Sequence, residues 1–250
     1  MPPASTFSDS AADPPVRGYL HSPAASNGRG LVLTHGAGSN ANAPLLIALA
    51  ETFSTAGFTV LRCNLPYRQA RSYGPPGPGD AARDRAGLKN ALASLERNLA
   101  APPPACPERS RRAVFEGWES KGLKSDQCAI FLSGHSYSGR QASILCAEEP
   151  DLVPCLLLLS YPLHPPRRPE QQRTAHLPSL RTPALFVHGT RDPFGSVAEI
   201  EQALKMIPAP TRLLTVEGAG HDLGFKGKAR QEILPGQILD VFTSFAELSS

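Results

Sequence analysis

The stretch that decides the fold is Ala129-Ile130-Phe131-Leu132-Ser133-Gly134-His135-Ser136-Tyr137-Ser138-Gly139. Its apolar first part predicts a buried strand, and residues 140–148 are compatible with a helix. A serine on a sharp strand-to-helix turn needs small neighbours, because the turn strains its backbone against the packed strand and helix. We therefore predict that Ser136 is an exposed nucleophile, although a string of this kind also occurs by chance.

Two later loops supply an acid and a histidine in the chain order that such a serine requires. Asp192 follows the strand-like run 184–187, and His221 follows the strand-like run 213–216. Both loops carry glycine or proline at the carboxyl end of a strand, where α/β sheets collect catalytic groups. Ser136, Asp192 and His221 are therefore predicted to form a catalytic triad. In the alternative reading, Asp192 only caps a following helix and His221 is an ordinary loop histidine.

A glycine-rich turn predicts the groups that would stabilise an oxyanion. The buried-strand pattern 31–34 runs directly into this turn, which includes Ala37. In a sheet of this kind the loop donates one backbone N–H, and the residue after the nucleophile donates the other. These positions assign the two donors to Ala37 and Tyr137. For His35 and His135 we favour structural roles over that of a spare base.

The order of the predicted elements indicates an α/β-hydrolase fold, with a mostly parallel central sheet and helices on both faces. A helix at 44–55 joins strands at 30–34 and 58–62, and such a βαβ unit makes its strands parallel. About twenty residues separate the strand at 153–160 from the next one, too few for a separate cap domain. Other predicted elements are an edge strand at 16–21 and helices at 80–99, 197–206 and 229–248.

Length and composition favour one domain. With 250 residues and 41% hydrophobic content, the chain can bury a single sizeable core over residues 16–250. Residues 1–15, rich in Ser, Ala and Pro, are predicted to be a disordered tail. Residues 100–125 lack a core-forming period and are predicted to be an inserted surface loop without a catalytic part. A basic arm that binds a partner is the alternative for this loop.

Charge and cysteine content limit the classes of partner. The net charge is +3, and Lys and Arg are spread along the chain, so neither nucleic acid nor a membrane surface is expected as a partner. Five cysteines without a Cys-x-x-Cys pair predict reduced thiols, and no metal or organic cofactor is expected. No stretch is long enough to span a bilayer and no signal peptide is evident, which predicts a cytoplasmic protein. The oligomeric state stays open.

Five motifs together carry a family resemblance: 33–38, 64–68, 134–140, 159–164 and 189–195. Through them the chain resembles the bacterial, dienelactone-hydrolase-like branch of the α/β-hydrolase family that includes testis-expressed protein 30 and the hydrolase-like domain of subunit 3 of the NSL chromatin complex. Relatives usually have glycine at the position of Ser138 and arginine or a similar residue at that of His135. The resemblance implies an intact triad and a poorly defined substrate, and suggests that some relatives act as assembly subunits.

The resemblance also implies which residues line the substrate pocket. Tyr67 and Arg68 follow a strand at the predicted catalytic edge, and His164 lies in a short loop after another strand. All three are therefore candidates for substrate binding. A structural role for Arg68, pairing with a carboxylate to hold its loop, is the alternative.

The leading hypothesis is a serine hydrolase that cleaves a carboxylic ester or related acyl bond of a small molecule through an acyl-enzyme. Ester, thioester and amide substrates share the same triad, so the sequence does not separate them. Haloalkane chemistry prefers an aspartate at the nucleophile position, so Ser136 argues against it. The competing hypothesis is a binding or scaffold protein that keeps the fold without turnover.

Overall fold

The computed structural model describes residues 4–100, 129–225 and 233–248. In this part of the chain the strands are β1 (Ser5–Asp9), β2 (Val16–His21), β3 (Gly30–Thr34), β4 (Thr59–Asn64), β5 (Ile130–His135), β6 (Leu156–Leu159), β7 (Ala184–Gly189) and β8 (Thr211–Val216). The helices are α1 (Pro44–Thr55), α2 (Pro66–Ala70), α3 (Asp80–Ala100), α4 (Tyr137–Glu148), α5 (Val197–Leu204) and α6 (Leu234–Leu248), with a 3-10 turn at Leu177–Ser179.

The strands form one sheet in the order β1-β2-β4-β3-β5-β6-β7-β8. The pairs β1–β2 and β2–β4 are antiparallel, whereas every other neighbouring pair is parallel. The prediction of an α/β-hydrolase fold with a mostly parallel sheet is therefore confirmed. The carboxyl ends of β3, β5, β7 and β8 share one edge of the sheet, which collects the loops that follow them.

Alternation along the strands supplies the two halves of the core. Val32 of β3 packs in one apolar cluster with α3, α4 and α5, whereas Leu31 and Leu33 pack in the opposite cluster with α1 and α6. Successive side chains of a strand point to opposite faces, so a strand covered by helices on both sides must be apolar throughout. This burial explains the continuous hydrophobic runs in the sequence and confirms helices on both faces.

The prediction of a disordered tail is wrong for residues 5–9, which form β1 at the edge of the sheet. The composition of this segment does not reveal the strand, because most of its residues are exposed and its one large apolar residue, Phe7, is only partly buried against the core. Interactions distant in sequence hold the strand: Ser94 Oγ and Arg97 Nη2 donate to the Asp9 carboxylate at 2.7 and 2.6 Å.

Two predicted segments, the surface loop and the last helix, lie partly outside the described residues. The predicted surface loop at 100–125 lies outside them from residue 101 onward, while residue 100 ends α3. The last helix begins at Leu234, so the prediction that it begins at 229 is wrong for Ile233, which lies in a turn. In the described part of the chain, no helix has the length and apolar character needed to cross a membrane.

Three of the five cysteines lie in the described residues, and all three are buried and unpaired: Cys63, Cys146 and Cys155. Burial raises the pKa of each thiol to about 12, because a thiolate is poorly solvated in an apolar core. These cysteines therefore act as small apolar core residues rather than as nucleophiles.

The close approach of β5 to the start of α4 requires glycine at Gly134. A Cβ there would lie 2.4 Å from the backbone nitrogen of Gly139 and 2.6 Å from the backbone carbon of Ser138. Neither atom is free to move, since both belong to the first turn of α4. The strand and helix are thus in direct backbone contact beside Ser136.

We expect Gly134→Ala to lower the free energy of unfolding by about 2 kcal/mol, because the added methyl group overpacks this contact. Urea denaturation measures the loss. The matched control is Gly79→Ala, whose Cβ would meet no atom within 4 Å, and which should change stability by less than about 0.5 kcal/mol. Equal effects of the two variants would contradict the backbone contact.

Three histidines, His21, His35 and His176, are held in the neutral form. Burial lowers the pKa of each to about 4, with neighbouring arginines adding to the effect. An unfolded histidine titrates near 6.5, so between pH 6.5 and 4 the unfolded chain binds more protons than the folded chain. Stability is therefore fully present above pH 6.5 and falls as the pH is lowered through this window.

His21→Gln should remove part of this acid sensitivity. His21 Nε2 accepts from Arg62 Nε at 3.3 Å, and a glutamine oxygen can accept the same bond without titrating. The free energy of unfolding, measured in urea from pH 7 to pH 4, should therefore fall less steeply in the variant than in the wild type. Parallel pH profiles would show that His21 does not contribute.

Candidate active site

Ser136 occupies the turn between β5 and α4 in a backbone conformation that serine rarely adopts. Its φ and ψ are 56° and −115°, and its N–H donates to the Leu159 carbonyl at 2.8 Å. Positive φ is costly for a residue with a Cβ and persists only where the surroundings impose it. Here β5, β6 and α4 impose it, and the side chain lines a cavity at the sheet edge.

The structure brings Ser136, His221 and Asp192 together, although they are far apart in sequence. His221 Nε2 lies 2.7 Å from Ser136 Oγ, and His221 Nδ1 lies 2.8 and 3.0 Å from the two carboxylate oxygens of Asp192. The carboxylate accepts a hydrogen bond from the Nδ1–H group, which leaves Nε2 as the acceptor for the serine hydroxyl. This arrangement is able to withdraw a proton from Ser136 Oγ.

Asp192 is fixed from several sides in the loop after β7. Its Oδ1 accepts the N–H of Phe194 at 2.9 Å, and the Phe194 ring packs on the His221 ring with centroids 4.2 Å apart. The alternative that Asp192 caps a helix is wrong, because Ser196 is the N-cap of α5 and forms a capping box with Glu199. The carboxylate is therefore available to His221.

His35 and His135 both hold loops around this site. His35 is buried, its Nε2 accepts the N–H of Leu65 at 3.1 Å, and its Nδ1 donates to the Gly36 carbonyl at 2.9 Å. His135 Nε2 donates to the backbone carbonyl of His221 at 2.8 Å. These bonds agree with the structural roles expected from the sequence.

Ala37 and Tyr137 both line the cavity beside Ser136. Ala37 lies in the loop after β3, and Tyr137 is the first residue of α4, where a backbone N–H has no partner within the helix. The assignment of Ala37 and Tyr137 as oxyanion donors stays a prediction.

Tyr67 and Arg68 are not among the described residues that line the cavity, and their predicted contact with substrate stays a prediction. Tyr67 is 2% exposed, and its hydroxyl reaches the carbonyls of Gly36 and Ala37 at 3.1 and 2.8 Å. Arg68 donates to the carbonyls of Ser39 and Ala37 at 2.8 and 3.0 Å. Both side chains hold the loop after β3 from behind. The alternative, a structural role for Arg68, agrees with these bonds, although its partners are carbonyl groups rather than the expected carboxylate.

His164 is likewise buried and is not among the described residues that line the cavity, so the substrate contact predicted for it stays a prediction. Its backbone N–H donates to the Phe194 carbonyl at 3.0 Å, and its ring Nδ1 lies 2.8 Å from the Pro165 carbonyl. The bond to Phe194 ties the loop after β6 to the loop that carries Asp192. His164 therefore supports the acid from outside the cavity.

Asp84 is a site residue that the sequence analysis missed. This buried carboxylate on α3 accepts the N–H of Tyr67 at 3.0 Å and the hydroxyl of Tyr137 at 2.8 Å. Burial raises the pKa of Asp84, and the two hydrogen bonds oppose the rise. The available signal was an acid four residues before Leu88, on the apolar face of the predicted helix.

A cavity of about 590 Å³ opens in front of Ser136. Part of its wall is apolar, formed by residues 44–46, Pro75, Pro76 and Phe225, and part is charged. The charged side chains on the wall are Arg140, Arg173 and Asp222. This volume suits a small molecule with both apolar and polar parts.

Comparisons with known proteins agree with this architecture. A crystal structure of dienelactone hydrolase from Anabaena variabilis superposes with a TM-score of 0.68 at 20% identity, covering 97% of this chain and 98% of that one. A serine hydrolase without a lid from Xanthomonas campestris gives 0.66 at 15% identity, covering 98% and 95%. At these identities the likeness is one of fold.

A shorter match joins this chain to the polyketide synthase ThaQ of Burkholderia thailandensis, with 54% identity over 48 residues. That segment is 19% of this chain and 2% of the synthase, so the chain spans only a small part of this curated relative.

The narrower resemblance to the family of testis-expressed protein 30 stays a prediction. A model of the α/β-hydrolase domain matches residues 27–239. The chain therefore belongs to this α/β-hydrolase family.

Proposed function

We propose that the protein is a serine hydrolase that cleaves a carboxylic ester or a related acyl bond through an acyl-enzyme. One observation carries the proposal: Ser136, His221 and Asp192 are joined by hydrogen bonds of 2.7 and 2.8 Å at the wall of a cavity of about 590 Å³. A buried carboxylate behind a histidine, with a serine in front of it, is the arrangement that activates a hydroxyl nucleophile.

In the first half of the reaction, Ser136 Oγ attacks the acyl carbon while its proton passes to His221 Nε2. Asp192 stabilises the resulting imidazolium without accepting its proton. The carbonyl oxygen becomes an oxyanion, for which the N–H groups of Ala37 and Tyr137 are the proposed donors. Collapse of the tetrahedral intermediate breaks the bond to the leaving group, which takes the proton from Nε2 and departs.

In the second half, water attacks the acyl-enzyme and gives one proton to His221 Nε2. A second tetrahedral intermediate then releases the carboxylic acid, and Ser136 Oγ takes the proton back. Each bond that forms is matched by one that breaks, and the triad returns to its starting state. The protein's own side chains and water therefore suffice for the proton transfers.

The proposed oxyanion donors are linked by hydrogen bonds behind the cavity. Asp84 binds the Tyr137 hydroxyl and the Tyr67 backbone, and the Tyr67 hydroxyl in turn binds the Ala37 carbonyl. Donors that are already oriented stabilise developing charge without reorganisation. We therefore assign Asp84, Tyr67 and the Tyr137 hydroxyl a positioning role.

A fluorophosphonate probe tests the nucleophile, since covalent capture needs an activated serine but no known substrate. Intact-mass analysis should show one adduct on the wild type, none on Ser136→Ala, and labelling slowed by about a thousandfold in His221→Ala. Ser179→Ala, which removes an exposed serine from the 3-10 turn, is the matched control and should label normally. Labelling of folded Ser136→Ala at the wild-type rate would contradict the proposal, and an unlabelled wild type would favour the scaffold hypothesis.

Tyr137→Phe tests the positioning role. The variant keeps the ring and the backbone N–H but loses the bond to Asp84, so we expect kcat on a 4-nitrophenyl ester to fall by about tenfold with little change in KM. A purely structural tyrosine would lower the melting temperature and leave kcat unchanged. Wild-type kcat in a folded variant would therefore contradict the positioning role.

A further inference from the structure

Two arginines, Arg140 and Arg173, line the wall of the cavity. Arg140 lies in the first turn of α4, and its backbone N–H donates to the Ser136 carbonyl at 3.0 Å. Arg173 lies in the loop between β6 and the 3-10 turn, and its backbone N–H donates to the Leu163 carbonyl at 2.8 Å. Both side chains are only partly exposed and line the same cavity as Ser136.

Within the part of the chain that the structure describes, these guanidinium groups have few protein acceptors. Among the described residues, no hydrogen bond or ion pair engages the Arg140 side chain, and its Nε is buried without a partner. In the same part of the chain, the Arg173 side chain makes one long bond, from Nη1 to the Pro162 carbonyl at 3.3 Å. By contrast, Arg68, which is buried, donates to several carbonyl groups. An unpaired buried donor is costly, so its retention at a cavity calls for an acceptor that binds there.

The electrostatic surroundings point to an anion as that acceptor. Burial and, to a lesser degree, the positive charge of Arg140 lower the pKa of Arg173. Within the described residues, no carboxylate lies within 4.0 Å of either guanidinium group. Among the described residues that line the cavity, Asp222 is the acidic one, and its Oδ1 accepts the N–H of Gly224 at 3.3 Å.

We propose that Arg140 and Arg173 form an anion subsite that holds a second, negatively charged group of the substrate, a carboxylate or a phosphate. The planar guanidinium fork matches both groups, and an anion there offsets the repulsion between the two cations. This inference rests on the proposed function, since it names the substrate class of the same site.

The position of Arg140 also indicates how far the anion lies from the reacting bond. Four residues of helix rise about 6 Å, so the Arg140 backbone lies about one turn from Ser136. An acyl group with its charged end a few carbons from the carbonyl fits this spacing. Monoethyl glutarate is the corresponding probe, and ethyl pentanoate replaces its carboxylate with a methyl group.

The test compares kcat/KM for these two esters by pH-stat. The wild type should prefer monoethyl glutarate by about tenfold or more, the value of one or more charge-assisted hydrogen bonds. Arg140→Gln and Arg173→Gln should each bring the ratio of the two kcat/KM values close to one. Arg181→Gln removes an exposed arginine away from the cavity wall and should keep the wild-type ratio. Thermal unfolding verifies that each variant is folded, and raised ionic strength should reduce the ratio in the wild type without any substitution.

Isothermal titration of Ser136→Ala distinguishes the source of the anion and separates this inference from the proposed function. Binding of glutarate that is lost with Arg140→Gln supports a carboxylate, and binding of inorganic phosphate alone, lost in the same way, supports a phosphate. If the wild type binds the anion through these arginines but shows neither fluorophosphonate labelling nor ester cleavage, the proposed hydrolase function is refuted and the anion subsite is supported. If the wild type is labelled, hydrolyses both esters with equal kcat/KM and binds neither anion, the anion subsite is refuted while the hydrolase function is supported.

Discussion

The backbone contact between the end of β5 and the first turn of α4 is the constraint on which the site depends. Gly134 and Gly139 let the two backbones meet, and Ser136 takes up a positive φ between them while its N–H is bound to Leu159 of β6. A strained residue is kept only where the surrounding elements determine its conformation. Packing on both buried faces of the sheet fixes β5, β6 and α4 relative to one another, and these elements impose the conformation of Ser136.

A second consequence of this geometry is that the support for the site lies behind the cavity rather than in it. Asp84, Tyr67 and Arg68 bind loop carbonyls, a backbone N–H and the Tyr137 hydroxyl, and so connect the loop after β3 with the start of α4. On the opposite side, Phe194 and the His135 ring hold His221. The side chains behind the cavity thus hold the loops through hydrogen bonds. Among the described residues, Arg140 and Arg173 line the cavity with few hydrogen bonds to protein, so their guanidinium groups are available to a ligand.

Much of this arrangement follows from the sequence, because strand runs, glycine turns and the order of Ser136, Asp192 and His221 are local signals that a parallel sheet gathers at one edge. Side-chain direction is not local in this way. Tyr67, Arg68 and His164 lie in the loops expected to form the site, yet packing turns all three into its walls. Asp84 was missed for the complementary reason, since its partners lie on other elements. The edge strand β1 depends similarly on Ser94 and Arg97 of α3.

The central claim is that acyl transfer proceeds through a covalent intermediate on Ser136. Rapid-quench mass spectrometry with 4-nitrophenyl acetate, followed by peptide mapping, tests it directly. The account predicts a burst of 4-nitrophenol and a single transient acetyl group on the peptide that contains Ser136, formed within the first turnover and lost with the steady-state rate. Turnover without an acetyl group on that peptide, or a transient acetyl group on another residue, would contradict the account.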